Sequence, residues 1–180
     1  MSYTLAQVVI HASVANDWFN AVQEWEIYDC IEDNLCESSC ICGKEHIKYL
    51  YTIRNRQNGN ALHPIGSTCI KKFGRIDLND EISVIEGLFY LLHAIRNHEF
   101  IELNAKYFSR KLITYLYNEG VFDNDYNNYD GVADYEFFLK MFNKRDKDTI
   151  SYKQRSKIRA IIVNSIRPYL EEQLANKIKQ

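Results

Sequence analysis

The sequence predicts an α+β protein in which a small β-rich segment, residues 1–78, precedes an all-helical one, residues 79–180. Three observations lead there. Apolar and polar residues alternate from Ile47 to Arg54 and are followed by Asn58-Gly59, the signature of a hairpin. Four of the five cysteines crowd between Cys30 and Cys42, just ahead of that hairpin. Beyond Asp77 the apolar residues recur instead at helical spacing.

Taken in order, Ser13 and Asn16 are candidate caps for a short helix over residues 13–23 carrying Trp18, Phe19 and Val22. Trp25, Ile27 and Ile31 then point to a strand. In the alternating run, Ile47, Tyr49, Tyr51 and Ile53 share one face, with Lys48, Thr52 and Arg54 on the other. A return strand is expected near Asn60–Pro64. Gly66-Ser67-Thr68 reads as a turn opening a short helix, Cys69 to Phe73, which Gly74 closes.

In the second segment, Asn79 or Asp80 caps a helix with Ile82, Ile85, Phe89, Leu92 and Ile95 on one stripe. A helix over 105–118 carries Phe108, Leu112, Tyr115 and Leu116, and Gly120 stops it. After a polar stretch, Asp123 to Gly131, a third helix bears Tyr135, Phe138, Leu139 and Phe142. The last begins near Ser151, with Ile158, Ile161, Ile162 and Ile166 on one face and Pro168 as a kink or a new start.

Composition excludes several classes. With 46% hydrophobic and 26% charged residues, 7 Gly and 2 Pro, the 180-residue chain has the means to bury a core. Its longest apolar run, Leu88–Leu92, is far below the roughly 20 residues of a membrane span. No Lys or Arg precedes Lys44, so a secretory signal with a basic head is not expected, and the cysteines read as reduced thiols or metal ligands. The expected location is the cytoplasm.

The net charge of −2 conceals four blocks: −7 over residues 1–43, +6 over 44–75, −8 over 76–136 and +7 over 137–180. Such blocks create local potentials, unless opposite ones neutralise each other across one surface. A pI near 6.2 argues against a free duplex-DNA binder, whose affinity comes mainly from phosphate neutralisation.

Cys40-Ile41-Cys42-Gly43 is the most informative tetrapeptide. Two thiols one residue apart, with a glycine to relax the backbone, turn both sulfurs toward one point. Cys69 falls in the first turn of the short helix, where the helix dipole is expected to favour the thiolate. Knuckle, hairpin and helix-start ligand make a treble-clef-like layout, and soft sulfur ligands in tetrahedral geometry select Zn²⁺. His46 is the first choice for the fourth ligand, followed by Cys36, His63 and Cys30. Cys30 also reads as a small core residue and His63 as a solvated loop residue.

A structural rather than catalytic ion is expected, and the chain is not read as an enzyme. Glu45 is adjacent, but H-E-x-x-H, zinc-deaminase, Walker, G-x-G-x-x-G and G-x-S-x-G patterns are all missing from the sequence. The helix after the hairpin offers neither His nor Asn for a hairpin-and-helix nuclease centre. His93 and His98 stand about 140° apart around their helix, too far round to share an ion.

Two readings of function follow from the residues. Residues 112–139 hold no Lys or Arg, six acids and five tyrosines. A surface of Glu119, Asp123, Asp125, Tyr126, Tyr129, Asp130 and Asp134 suits a basic protein partner, acids steering the encounter and tyrosines supplying contact area. The same stretch also reads as a solvated acidic loop with Tyr135 in the core. The alternative is a nucleic-acid-binding zinc module, with Lys44, Lys48, Arg54, Arg56, Lys71, Lys72 and Arg75 around the site and Tyr49 and Tyr51 as stacking platforms. Lys153, Arg155, Lys157 and Arg159 offer it a second basic face. Against it, no base-reading helix is evident and the acidic blocks repel phosphate.

Cys40 to Gly43, Tyr51-Thr-Ile-Arg-Asn55 and Pro64-Ile-Gly-Ser-Thr-Cys-Ile-Lys-Lys-Phe73 resemble a group of small proteins from phages and mobile elements of Gram-positive bacteria, over about 35 residues. Phe137 to Arg145 is similar to companions in that group. In that setting the chain resembles zinc-containing type II-A anti-CRISPR proteins. The resemblance implies Cys40, Cys42 and Cys69 as zinc ligands, the bacterial host cytoplasm as location, and a single-chain CRISPR effector nuclease as partner, bound so that target DNA is not loaded. CRISPR effectors hold nucleic acid in positively charged channels, which an acidic surface complements.

Overall fold

The computed structural model describes residues 3–179, the side chains of Tyr3 and Tyr126 excepted. The chain divides into two compact units, Met1–Ile85 with Asn176–Gln180, and Glu86–Ala175. Among the described residues no helix is long and apolar enough to cross a membrane.

The first unit is built on a four-stranded sheet of order β3-β2-β1-β4, with β1 Trp25–Asp33, β2 Tyr49–Asn55, β3 Ala61–Ile65 and β4 Ile178–Lys179. β2 runs antiparallel to both neighbours, setting Trp25 opposite Asn55, Cys30 opposite Tyr51 and Tyr51 opposite Ile65. Trp25, Tyr51, Ile53 and Ile65 are fully buried, and Arg54 is exposed, as alternation requires. The β2–β3 hairpin turns where Asn58-Gly59 predicts. Gly59 has φ +77°, and the Asn55 carboxamide accepts the Gln57 and Asn58 amides at 2.8 and 3.2 Å.

Ahead of the sheet the sequence reading needs correction. A helix α1, Tyr3–Ala12, buries Leu5 and Val9 and was not foreseen. The following helix α2 is only Trp18–Ala21, and its cap is Asp17, whose carboxylate accepts the Asn20 amide at 3.1 Å. Ser13 instead donates to the Val9 carbonyl at 2.7 Å and accepts from Trp25 Nε1 at 2.9 Å. The buried Glu24 carboxylate binds this region to the sheet, accepting the Val14 and Ala15 amides and the Asn55 carboxamide. Asn58 and Asn60 at the hairpin tip both donate to the Ala12 carbonyl.

α3, Ser67–Lys71, follows β3 directly, and α4, Ile76–Arg96, begins a turn earlier than the Asn79 or Asp80 expected from sequence. Arg75 sits between them, paired with Asp77 and donating to the carbonyls of Val22 and Trp25.

The second unit contains the later part of α4 with α5 Arg110–Asn118, α6 Gly131–Asn143, α7 Tyr152–Ile161 and α8 Arg167–Leu174. Phe108 and Phe122 meet Phe138 edge-on, with ring centroids 5.4 and 5.7 Å away. α5 starts at its Ser109 cap rather than at 105, because Asn104 turns the preceding backbone, accepting the Lys106 amide on its side chain. Gly131 opens α6 against Asp123, which accepts its amide at 2.9 Å, and an added Cβ would fall 2.1 Å from that oxygen. Ser151 and Gln154 form a capping box for α7. Pro168 has no amide to give the Asn164 carbonyl, and the helix widens into a π turn, Ile162–Ile166, just ahead of it.

The second half is not wholly helical. β4 pairs parallel with β1, Glu32 beside Ile178 and Asp33 beside Lys179. Lys177 Nζ meets Asp29 at 2.6 Å, and Lys179 lies 3.9 Å from Asp33. Two residues show no alternation, so the sequence offers nothing by which this strand could be read.

Candidate metal centre

The site lies where three chain segments meet. Cys40 and Cys42 occupy a tight turn between β1 and β2. The Gly43 amide returns to the Cys40 carbonyl, the Cys40 amide donates to Lys44, both at 2.8 Å, and Gly43 takes φ +86°. That φ favours glycine, which explains its place after the second thiol. The Ile41 amide donates to the Pro64 carbonyl of β3 at 2.9 Å, holding the turn against the hairpin. Upstream, the buried Asp33 carboxylate accepts the Leu35 and Ser38 amides and the Ser38 hydroxyl, and Ser38 accepts the Ile47 amide.

The three sulfurs of Cys40, Cys42 and Cys69 all lie within 4.8 Å of one another. Cys69 Sγ stands 3.7 Å from Cys40 Sγ and 3.2 Å from Cys42 Sγ. A disulfide needs about 2.05 Å. A tetrahedral Zn²⁺ with bonds of about 2.3 Å sets its sulfurs about 3.8 Å apart; the Cys40–Cys69 pair matches this, and the Cys42–Cys69 pair is closer. The Gly66 amide donates to Cys40 Sγ at 3.3 Å, the kind of support that orients a thiolate ligand. A cavity of about 160 Å³ opens beside the cluster, lined by Cys40, Cys69, His46 and Lys44 among others.

The thiols differ in acidity. Burial opposes ionisation of Cys42, but the Lys44 amide, the neighbouring thiols and the Lys72 charge bring it below the ordinary thiol value. Burial, followed by the Cys42 and Cys40 sulfurs, pushes Cys69 up to about 12. The lowering expected at the start of α3 is therefore not found: five residues of helix are outweighed by desolvation and two adjacent sulfurs.

The candidates for a fourth ligand are placed differently. His46 is exposed, has φ +58° and sets Nδ1 3.0 Å from the Cys36 carbonyl, outside the sulfur cluster but on the same cavity. Cys36 donates its thiol toward the Asp33 carbonyl at 3.6 Å. His63 lies exposed on β3, against Thr52 Oγ1 at 2.9 Å. Cys30 is buried in β1. No cysteine pair forms a disulfide.

Of the residues expected to face a partner, Glu119, Asp125, Tyr129 and Asp130 are exposed, with the Tyr129 hydroxyl donating to Asp125. Asp123 also holds the start of α6, and Asp134 pairs with Lys157 at 2.7 Å and accepts from Asn127. The side chain of Tyr126 lies outside the described residues. Of the basic ones, Lys44, Lys71 and Lys72 are exposed next to the cysteines in sequence, and Arg54 is exposed on β2 with its guanidinium over the Tyr28 ring. Lys48 pairs with the buried Glu32 at 2.8 Å, Arg56 lies 4.0 Å from Glu26, and Arg75 is spent on backbone carbonyls and Asp77. Tyr51 is fully buried and so cannot stack on a base.

Sequence spacing missed Asp33, Ser38 and the Gly66 amide as organisers of the site. A backbone donor is defined by position and leaves no mark on residue type. Comparison with family models, with curated proteins and with solved structures gives no match.

Proposed function

We propose that Cys40, Cys42, Cys69 and His46 hold one structural Zn²⁺, and that the protein works by contact, as an anti-CRISPR inhibitor that binds a single-chain type II-A effector nuclease and blocks target DNA loading. The observation that carries the metal reading is the convergence of three sulfurs within 4.8 Å of one another. His46, on the lining of the same cavity, is the fourth ligand of this reading. A carbonyl only accepts, so Nδ1 facing Cys36 donates, and Nε2 is the nitrogen that would turn to the ion. The ion supplies no chemistry beyond a fixed junction of knuckle, hairpin and α3.

The contact reading rests on the exposed Glu119, Asp125, Tyr129 and Asp130, a surface suited to a basic partner, and the specific partner rests on the resemblance of the knuckle and hairpin sequence. The cations Lys44, Arg54, Lys71 and Lys72 favour the second reading, a nucleic-acid-binding zinc module.

One pair of experiments tests both parts. In the cobalt-substituted protein, thiolate-to-metal absorption and tetrahedral ligand-field bands are expected, with the latter lost in His46→Ala and kept in His46→Cys. Size-exclusion chromatography with an effector–guide complex, beside a DNA mobility shift, separates the two readings. Co-elution without a DNA shift supports the inhibitor, and the reverse supports the nucleic-acid module.

A further inference from the structure

The second unit carries a groove unconnected with the thiol cluster. Residues 100–104 and α7 enclose a cavity of about 710 Å³ with an apolar floor of Ile101, Leu103, Ile150 and Ile158. It shares Phe100, Ile101, Arg159 and Val163 with an adjoining cavity of about 270 Å³ that reaches Ile95 and Arg167. Large apolar side chains stand open at its rim: Phe100 is 64% exposed, Tyr152 84% and Val163 47%. A single exposed apolar side chain is ordinary, but three around one concavity, two of them aromatic, mark a contact surface.

The groove has a sign. α7 carries Lys153, Arg155, Lys157 and Arg159 and no acid. Only Lys157 among them meets a carboxylate, Asp134. Arg155 donates to the Ile150 and Lys147 carbonyls, and Lys147 to those of Met141 and Phe142, so part of each cation's donor capacity is taken but neither is given a carboxylate partner among the described residues. The Arg159 guanidinium lies over the Phe100 ring, 4.9 Å from its centroid. The lining holds two acids, Glu102, which accepts from Asn104, and Asp148, against the three cations Lys147, Arg155 and Arg159, an excess of one positive charge.

We propose that this groove docks an acidic amphipathic helix of a partner protein, its apolar stripe on Ile101, Leu103 and Ile158 and its carboxylates on Arg159, Arg155 and Lys147. A helix is favoured over an extended peptide because every strand among the described residues belongs to the other unit, so no sheet edge is offered here. From Tyr152 to Val163 the groove wall spans roughly 16 Å, three turns of a docked helix with anchors at i, i+4 and i+7.

The test uses the full chain and an 18-residue labelled helix with Leu anchors flanked by Glu, beside a twin with Lys in place of each Glu. Fluorescence anisotropy is expected to show saturable binding of the acidic peptide, at least tenfold tighter than its twin and weakening with salt. Arg159→Glu and Val163→Asp each reduce it at least tenfold, while circular dichroism and melting temperature stay unchanged. Absence of saturable binding, equal affinity for the twin, or undiminished binding by both variants overturns the proposal. So does a concentration-dependent dimer that Val163→Asp abolishes, since a second copy then occupies the groove. Displacement of the peptide by dodecanoate at lower concentration than by unlabelled peptide also overturns it, in favour of a lipid-like acid.

Discussion

Cys42 Sγ stands 3.2 Å from Cys69 Sγ although 27 residues separate them in the chain. An ion at this junction closes a long loop and crosslinks turn, hairpin and α3. Structural zinc contributes on the order of 10 kcal/mol in small domains, comparable with the whole stability of one. Metal analysis of the purified protein is expected to give about one zinc per chain. Cys40→Ser or Cys69→Ser loses the metal, and β2 and β3 amides then exchange rapidly with deuterium. Full zinc content in both variants removes these sulfurs from the site.

The seam between β1 and β4 sets a second expectation. Lys177 and Asp29 are both partly exposed, so their 2.6 Å contact is worth under about 1 kcal/mol, and Lys177→Ala lowers stability by that or less. Deleting residues 176–180 does more, because the Asn34 amide loses the Lys179 carbonyl and the edge of β1 is bared. Faster hydrogen exchange at Asn34 is the readout. Unchanged exchange there shows the pairing to be dispensable.

Two buried carboxylates make stability depend on acid. The Ser38 hydroxyl bond, against the cost of burial, leads the contacts that hold Asp33 below the usual aspartate value of 3.8. For Glu24, burial raises the pKa, but the Asn55 carboxamide and the Val14 and Ala15 amides outweigh it and leave the group below 4.5. A carboxylate with a depressed folded pKa contributes in full above its unfolded value and loses that contribution as pH falls through the folded value. Denaturant titrations are expected to be flat near pH 6 and to weaken progressively from about pH 4.5 downward. Glu24→Gln and Asp33→Asn, measured at the same pH values, flatten that dependence. A slope identical to the parent protein's assigns the acid sensitivity to other groups.

The aromatic core of the second unit supplies a contrast of magnitude. Phe138 is fully buried between Phe108 and Phe122, and Phe138→Ala is expected to cost about 3–5 kcal/mol. Ser151→Ala removes one half of an exposed capping box and costs about 1 kcal/mol. Urea midpoints compare them directly. Equal losses place the packing centre elsewhere.

Elements with strong periodicity or strong turn chemistry were legible. The β2–β3 hairpin follows from Tyr51, Ile53 and Asn58-Gly59, and the start of α7 from Ser151, because both are set by local backbone preferences. The triad Cys40, Cys42 and Cys69 was legible because thiols are few and their partners fixed by spacing. What depends on distant partners was not. Ser13 is an N-cap by type, yet Trp25 Nε1 claims its hydroxyl, and Asp17 takes the cap. Asp134 and Asp123 counted as surface charge until Lys157 and the Gly131 amide accounted for them. The acidity of Cys69 was misjudged because burial by residues far along the chain opposes the local dipole.

The pairing of Asp33 with Lys179 gives the sheet a late closing step. On a ribosome, β1 leaves the exit tunnel long before β4 exists, and the whole intervening helical unit is made first. Until then β1 waits with an open edge, in a nascent chain already bearing the three thiols. A chaperone that engages the chain at that stage meets the backbone edge at Glu32 and Asp33, which the finished protein has covered.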